Sequence, residues 1–214
     1  MESTSQIYAK HNLEKRGRGF VLFERERGGF ISNAIGKGKK IVDLGSRDGS
    51  LTKYVAQENE VWAVDIDKAA LAYLKEMMPS IETMYLDLNQ DNWDLPKNYF
   101  DAVVTAETLE HLYYPENVLA RISDLLKNGG IIAGSVPNAF SLKNRVRMFF
   151  GKKQHSSLGD PTHINHFSFT ELEELLKKYF KQVRIYPLIQ PKYRWLSKIS
   201  PKLFSFSLLF WAKK

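Results

Sequence analysis

The stretch Lys39-Lys40-Ile41-Val42-Asp43-Leu44-Gly45-Ser46-Arg47-Asp48-Gly49-Ser50-Leu51 decides how the rest of the chain reads. A short β-branched run, Ile41-Val42, enters an acidic residue and then a turn with glycines four apart. A helical pattern follows at once, with Leu51, Tyr54 and Val55 on one face. Strand, glycine turn and helix in that order bring a nucleotide-like ligand to a helix N-terminus, where free backbone N–H groups and the helix dipole favour polar or anionic groups. Glycine allows positive φ and close backbone approach, so Gly45 and Gly49 have a mechanical reason to be there. Taken alone, the turn is equally compatible with a plain βα connection.

Outward from this turn the chain alternates between the two kinds of element. Upstream, Phe20, Phe23, Phe30, Ile31 and Ile35 predict an amphipathic helix over 20–35, which Gly28-Gly29 can break. Downstream, a helix over 50–57 precedes a buried strand at 61–64 that ends in Asp65-Ile66-Asp67. A helix over 68–78 stops before Pro79, and a third strand over 81–86 ends in Asp87-Leu88-Asn89. The fourth strand, 100–105, runs into Ala106-Glu107-Thr108-Leu109-Glu110-His111-Leu112. A helix over 116–127 reads as closed by Asn128-Gly129-Gly130 with Lys127 in its last turn, before a fifth strand over 131–136. Then come a basic amphipathic helix over 141–150, a loop with His155, His163 and His166, and a helix over 170–180 opened by Thr170. A sixth strand covers 183–188 and a last one 204–211, antiparallel because no crossover helix precedes it. The pattern defines an α/β fold: a doubly wound, mostly parallel, seven-stranded sheet with the last strand antiparallel. Residues 1–37 read as an N-terminal helical cover and 38–214 as one domain, with a cap on the acceptor side at about 138–168.

Composition narrows the chemistry. The 214 residues contain no cysteine, which excludes disulfides, thiolate zinc sites and cysteine nucleophiles. The first residues, Met1-Glu2-Ser3-Thr4-Ser5, lack an apolar signal core, and no apolar run reaches the roughly 20 residues of a membrane span. A soluble, cytoplasmic protein is expected. The net charge of +7 is uneven: +5 over 1–40, −9 over 41–137 and +11 over 138–214. Basic ends around an acidic middle suit either an anionic partner or a solvated surface.

Ligands of open α/β sheets lie beyond the carboxyl ends of the strands, where the strand order reverses. Asp43, Asp65, Asp87 and Glu107 all fall at such ends. A carboxylate ending the second strand is placed to accept both hydroxyls of a ribose, and Asp87 to accept from the exocyclic amine of a base. With these residues in place, the chain resembles the class I S-adenosylmethionine-dependent methyltransferases over roughly 38–189. Val42-Asp43-Leu44-Gly45-Ser46-Arg47-Asp48-Gly49 is similar to their first motif, Val64-Asp65-Ile66-Asp67 to the second, and Leu86-Asp87-Leu88 to the segment beside the adenine. The resemblance implies S-adenosylmethionine as cofactor, with Asp43, Gly45, Ser46, Arg47 and Gly49 at its methionine part, Asp65 and Ile66 at the ribose, and Asp87, Leu88 and Ala106 nearby. Val136-Pro137-Asn138, Thr162-His163-Ile164 and Phe167-Ser168 further resemble MetW-type proteins and ubiquinone O-methyltransferase-like enzymes. One departure stands out, because Arg47 replaces the family's usual middle glycine.

Methyl transfer is an in-line displacement from a sulfonium, so the enzyme must hold the acceptor and, where needed, take its proton. Glu110 and His111 follow strand four at the cofactor's reactive end and are the candidate catalytic pair; they equally suit a role pinning the next helix. A metal is not expected, since the histidine spacings of eight and three lack a supporting carboxylate triad. A nicotinamide-binding reading wants Gly-x-Gly-x-x-Gly, which Gly45-Ser46-Arg47-Asp48-Gly49 does not supply. Nucleic acid is not the expected substrate: Thr105-Ala106-Glu107-Thr108 replaces the Pro-Pro-aromatic turn of base amino-methyltransferases, and no cysteine serves pyrimidine C5 chemistry. The expected acceptor is a small or lipid-linked molecule methylated at O or N, with peripheral contact to an anionic membrane through 142–153 as an option. The competing expectation is a MetW-type partner protein that keeps the fold but works by association.

Overall fold

The computed structural model describes residues 17, 19–154 and 156–214; most of the basic segment 1–18, and His155 of the histidine loop, lie outside the described residues. Seven strands, β1 (Lys40–Leu44), β2 (Glu60–Asp65), β3 (Glu82–Tyr85), β4 (Phe100–Ala106), β5 (Leu126–Pro137), β6 (Gln182–Leu188) and β7 (Ser207–Lys213), form one sheet in the order β3-β2-β1-β4-β5-β7-β6. The pairs from β3 through β5 are parallel, and β7 enters antiparallel between β5 and β6. The order reverses between β1 and β4, so a crevice opens there beyond the strand ends. Pro187 lies in β6, at the sheet edge, where a missing ladder donor is tolerated.

Strand side chains alternate between two buried faces, as a parallel sheet covered on both sides requires. Ile41, Val61, Ala63, Ala102 and Val104 face Ile31 and Ile35 of α1 (Glu24–Ile35), Val55 of α2 (Lys53–Ala56) and Leu74 of α3 (Lys68–Met77). Val42, Leu44, Val64, Val103 and Ile132 face Leu119 and Ile122 of α4 (Pro115–Leu125) and Leu172 and Leu176 of α6 (Phe169–Lys177). Between β5 and β6 lie α5 (Leu142–Phe149) and the histidine loop, and α7 (Pro201–Phe204) precedes β7.

Several element ends differ from the sequence expectation: the helix expected over 50–57 is confined to Lys53–Ala56, the one expected over 170–180 ends at Lys177, and four further differences follow. The helix expected from 116 to 127 ends at Leu125, and the glycine stop does not exist: Leu126 is extended (φ −74, ψ 136), fully buried and paired with Phe100. Sheet pairing outweighs helical periodicity there, and Lys127 instead reaches Asp101 at 2.8 Å. The helix expected to open at Thr170 opens one residue earlier, because Ser168 and Glu171 form a capping box. The last strand starts at Ser207, since 201–204 coil into α7. The first helix starts at Glu24, after Phe23 in left-handed backbone (φ 55), and runs unbroken through Gly28-Gly29.

Gly28 is a contact rather than a break. A Cβ built on it would lie 2.4 Å from the ring of Tyr54, so α1 and the segment after the glycine turn approach as closely as glycine permits. Gly-to-Ala inside a helix ordinarily stabilises by about 1 kcal/mol. Here Gly28→Ala is expected to have the opposite sign, destabilising by about 1–3 kcal/mol through overpacking, as read from the denaturant midpoint.

Candidate active site

The carboxyl edge of the sheet gathers the expected residues around one cavity. Asp43, Gly45, Ser46, Arg47, Asp65, Ile66, Asp87, Leu88, Ala106 and His111 all line it; Gly49 and Glu110 do not. Asp43, 3% exposed at the end of β1, accepts a hydrogen bond from the Thr52 hydroxyl at 2.7 Å. Burial pushes its carboxyl up to about 7; the Thr52 bond opposes this, and the nearby Asp65 charge adds to it. The glycine turn is fastened to β2, with the N–H groups of Gly45 and Ser46 both donating to the Val64 carbonyl (2.8 and 3.1 Å).

The two glycines of the turn answer to neighbouring elements. Gly45 (φ 82) has Thr108 against it, and an added Cβ would lie 2.3 Å from the Thr108 hydroxyl oxygen. Gly49 (φ 79) faces α3, where a Cβ would lie 2.5 Å from Met78 Cε. Gly49, expected among the cofactor contacts, does not line the cavity; it lets the turn pack on Leu74 of α3 and on Met78 just after it. Arg47 sits between them in left-handed backbone (φ 49), a conformation that costs a side-chain-bearing residue about 1–2 kcal/mol. Its N–H donates to Asp65 Oδ2 at 2.8 Å, while Asp65 Oδ1 accepts from the Asp67 N–H at 2.8 Å. Burial raises the Asp65 carboxyl, and these backbone donors partly offset that. Asp87 Oδ1 accepts from the backbone and side-chain amides of Asn89 (2.9 and 3.2 Å).

Also in the cavity lining, His111 Nδ1 donates to the Thr162 carbonyl at 2.9 Å, which makes Nε2 the basic nitrogen of the neutral ring. Glu110, 1% exposed, lies behind the cavity wall: its carbonyl accepts from the N–H groups of Ile164 and Asn165 (2.8 and 2.9 Å), and Oε1 stands 4.0 Å from His111 Nε2. Glu110, expected as half of the catalytic pair, thus stands off the cavity beside His111, and its carbonyl holds the 160–165 loop. The His163 ring stacks edge-on to His111 (centroids 4.8 Å apart). Donor atoms of Glu110, His111 and His163 lie within 4.8 Å of one another. One carboxylate and two imidazoles are a donor set able to hold a divalent cation. The carboxylate of this set comes from the 3-10 turn Leu109–His111 that follows β4, outside the histidine loop.

Sequence reading missed one contributor from the first helix. Arg27 of α1 is 2% exposed in the cavity wall, with Nη2 3.1 Å from Glu107 Oε1. Its Nε is buried without a hydrogen-bond partner among the described residues. Nothing in the local pattern of α1 marks this arginine as buried, because its partners lie at the end of β4 and in β7. Asp48 and the segment Phe20-Val21-Leu22 also line the cavity. Acids at the ends of β2 and β3 suit a ribose and an adenine, the acid ending β1 suits a cation, and the spare donor of Arg27 suits a carboxylate. An adenosyl amino acid carries all four groups, and the site fits it.

A family profile described as a methyltransferase domain matches residues 20–179. The chain belongs to that family, and its fold is that of the class I S-adenosylmethionine-dependent methyltransferases. A ubiquinone biosynthesis O-methyltransferase from Nitrosococcus oceani is 33% identical over 105 residues, 47% of this chain and 44% of the relative. The chain spans about half the length of the curated relatives it matches. Among solved structures, an S-adenosylmethionine-dependent methyltransferase from Archaeoglobus fulgidus superposes with a TM-score of 0.72 at 19% identity, covering 97% of this chain and 99% of that one. Phosphoethanolamine N-methyltransferase 2 from Haemonchus contortus, in complex with S-adenosyl-L-methionine, gives 0.67 at 16% identity, over 99% of this chain and 57% of that one. Both likenesses concern the fold.

The raised Asp43 carboxyl makes a pH prediction. Between its ordinary value of 3.8 and about 7 the folded state holds a proton that the unfolded state has lost. Unliganded stability therefore falls as pH rises through that window, with a slope approaching about 1.4 kcal/mol per pH unit from this group. A bound cation favours the carboxylate, so cofactor affinity rises over the same window. Asp43→Asn is expected to flatten both dependences, measured by chemical denaturation and by calorimetric titration from pH 5 to 8.

Proposed function

We propose that this protein transfers the methyl group of S-adenosylmethionine to an oxygen or nitrogen of a small or lipid-linked acceptor, with His111 as the general base. The observation that carries the reading is the convergence of Asp43, Asp65, Asp87 and Arg27 on one cavity that His111 also lines. Asp65 and Asp87 would hold the ribose and adenine, and Arg27 the carboxylate of the methionine part. Asp43 would balance positive charge. The cofactor supplies an electrophilic methyl group on a sulfonium that departs as a neutral thioether. The chain's own task is to align the acceptor and remove its proton, and His111 Nε2 is the nitrogen for that. Similarity to ubiquinone biosynthesis O-methyltransferases supports transfer to an oxygen.

His111→Ala is expected to lower kcat by about 10²–10⁴-fold for an acceptor that must lose a proton, with S-adenosylhomocysteine affinity within threefold of wild type. The measurement is transfer of a labelled methyl group, with binding followed by calorimetry. Retained kcat in His111→Ala would remove His111 as the base. The competing reading, a partner protein of the MetW type, requires that S-adenosylhomocysteine not bind at millimolar concentration.

The lipid-linked form of the acceptor is favoured by the surface of α5. Phe149 and Phe150 are 85% and 67% exposed beside Val146, and the run 142–153 carries Lys143, Arg145, Arg147, Lys152 and Lys153 with no acid. No described helix is long or apolar enough to cross a membrane. An exposed aromatic pair set among cations suits the surface of an anionic bilayer. Phe149→Ala with Phe150→Ala is expected to weaken binding to phosphatidylglycerol vesicles about tenfold or more. If the unmodified protein ignores such vesicles in a flotation assay, this surface has another role.

A further inference from the structure

Arg47 occupies a strained backbone position, and its side chain turns to the N-terminal segment that passes over the cavity. One guanidinium nitrogen, Nη1, donates to the Phe20 carbonyl at 3.2 Å, and the other, Nη2, donates to the Gly17 carbonyl. The next residue of the turn answers in the opposite sense: Asp48 Oδ2 accepts the Gly19 N–H at 2.7 Å. Asp48 Oδ1 is fixed by the Ser50 hydroxyl at 2.6 Å. Burial pushes the Asp48 carboxyl up, but the Gly19 and Ser50 bonds and the Arg47 charge outweigh it, leaving the group below the ordinary carboxylate range. Two consecutive turn residues thus hold the segment, one as donor and one as acceptor.

The held segment has the character of a cover. Phe20 and Leu22 line the cavity and yet remain 50% and 48% exposed, so they have apolar surface left to lay against a ligand. Its far end is set by Phe23, left-handed at φ 55, whose ring packs on Phe206 (centroids 5.3 Å apart) before α1 begins. Beneath the segment, the Arg47 N–H is bonded to Asp65, the acid facing the ribose position. A single residue therefore touches both the cover and the acid that grips the ligand.

We propose that Arg47, supported by Asp48, is a latch that holds Gly17 and the segment 19–23 across the cavity and sets how long the cofactor stays bound. The proposal rests on the cofactor reading above and concerns a positioning residue, since the guanidinium acts through the segment it holds. It accounts for an arginine where left-handed backbone favours glycine: the backbone strain is offset by bonds only a long fork-shaped donor can make. Cofactor contacts at Asp65 and closure of the cover then reinforce each other, and loss of the latch shows mainly in the dissociation rate.

Arg47→Gly is the decisive variant, because glycine accepts the left-handed backbone and only the latch is lost. The expected result is a dissociation rate for S-adenosylhomocysteine raised about tenfold or more in stopped-flow displacement, with the melting temperature of the unliganded protein unchanged or higher. Arg47→Lys, with one compact donor in place of the fork, is expected to fall between. Hydrogen–deuterium exchange of the amides at 19–23 should quicken in unliganded Arg47→Gly while those of β1 and β2 stay protected. Unchanged dissociation together with unchanged exchange at 19–23 would overturn the latch. If the unmodified protein binds no S-adenosylhomocysteine, the cofactor reading fails instead, and the exchange comparison still decides whether Arg47 holds the segment.

Discussion

The hydrogen bond from the Arg47 backbone N–H to Asp65 Oδ2 joins the turn after β1 to the end of β2, and most of the site depends on that junction. Parallel pairing sets Leu44 beside Val64, so the two strands finish level and their following segments are forced together. The Val64 carbonyl then takes the N–H groups of Gly45 and Ser46, which orients the turn so that Arg47 meets Asp65. Carboxylates in such a place are costly to bury, and the raised Asp43 and Asp65 show that the unliganded site leaves part of that cost standing. A cation relieves it. The acidic middle of the sequence, with a net charge of −9 over 41–137, therefore contributes ligand preference at its strand ends as well as solubility.

The central strands were legible because β1, β2 and β4 are short, mostly buried runs, each closed by an acid or a glycine. Ile41 and Val42 go to opposite clusters, and the same alternation through β2 and β4 is a property of sequence alone. Legibility failed where a distant contact outweighs a local signal. Gly129 and Gly130 look like a helix stop, but the buried Leu126 pairs with Phe100 and ends the helix earlier. Gly28-Gly29 looks like a break, but the missing Cβ at Gly28 makes room for Tyr54. In the site, the strand-end acids could be read from spacing. The roles of Gly49, Glu110 and Arg27 could not, since each depends on what faces it: Met78, the 160–165 loop and Glu107.

Strain in the described backbone is concentrated around the cavity. Among the described residues four non-glycines have positive φ, namely Phe23, Arg47, Asn98 and Glu107, and all but Asn98 belong to the cavity or its cover. Arg47 and Glu107 line the cavity, and Phe23 closes the segment that covers it. Each such residue costs about 1–2 kcal/mol and persists only when its surroundings fix it. For Glu107 the fixing groups are the Arg27 guanidinium at 3.1 Å and the Ser135 hydroxyl at 2.9 Å.

Those contacts explain why the two ends of the described chain belong to the site. Arg27 lies in the first described helix, and its Nη2 also reaches the Ser207 hydroxyl oxygen at 3.3 Å, 180 residues away in β7. Ser207 in turn donates to the Val136 carbonyl of β5 at 2.7 Å. The antiparallel entry of β7 beside β5 sets Ser207 opposite Pro137, just past the strand position next to Glu107, and so delivers the hydroxyl to the buried arginine. With β7 parallel instead, its first residue would lie at the other edge of the sheet, and Arg27 would have to satisfy its charge from Glu107 alone. The direction of the last strand, which no motif encodes, thus determines how the cavity wall is held.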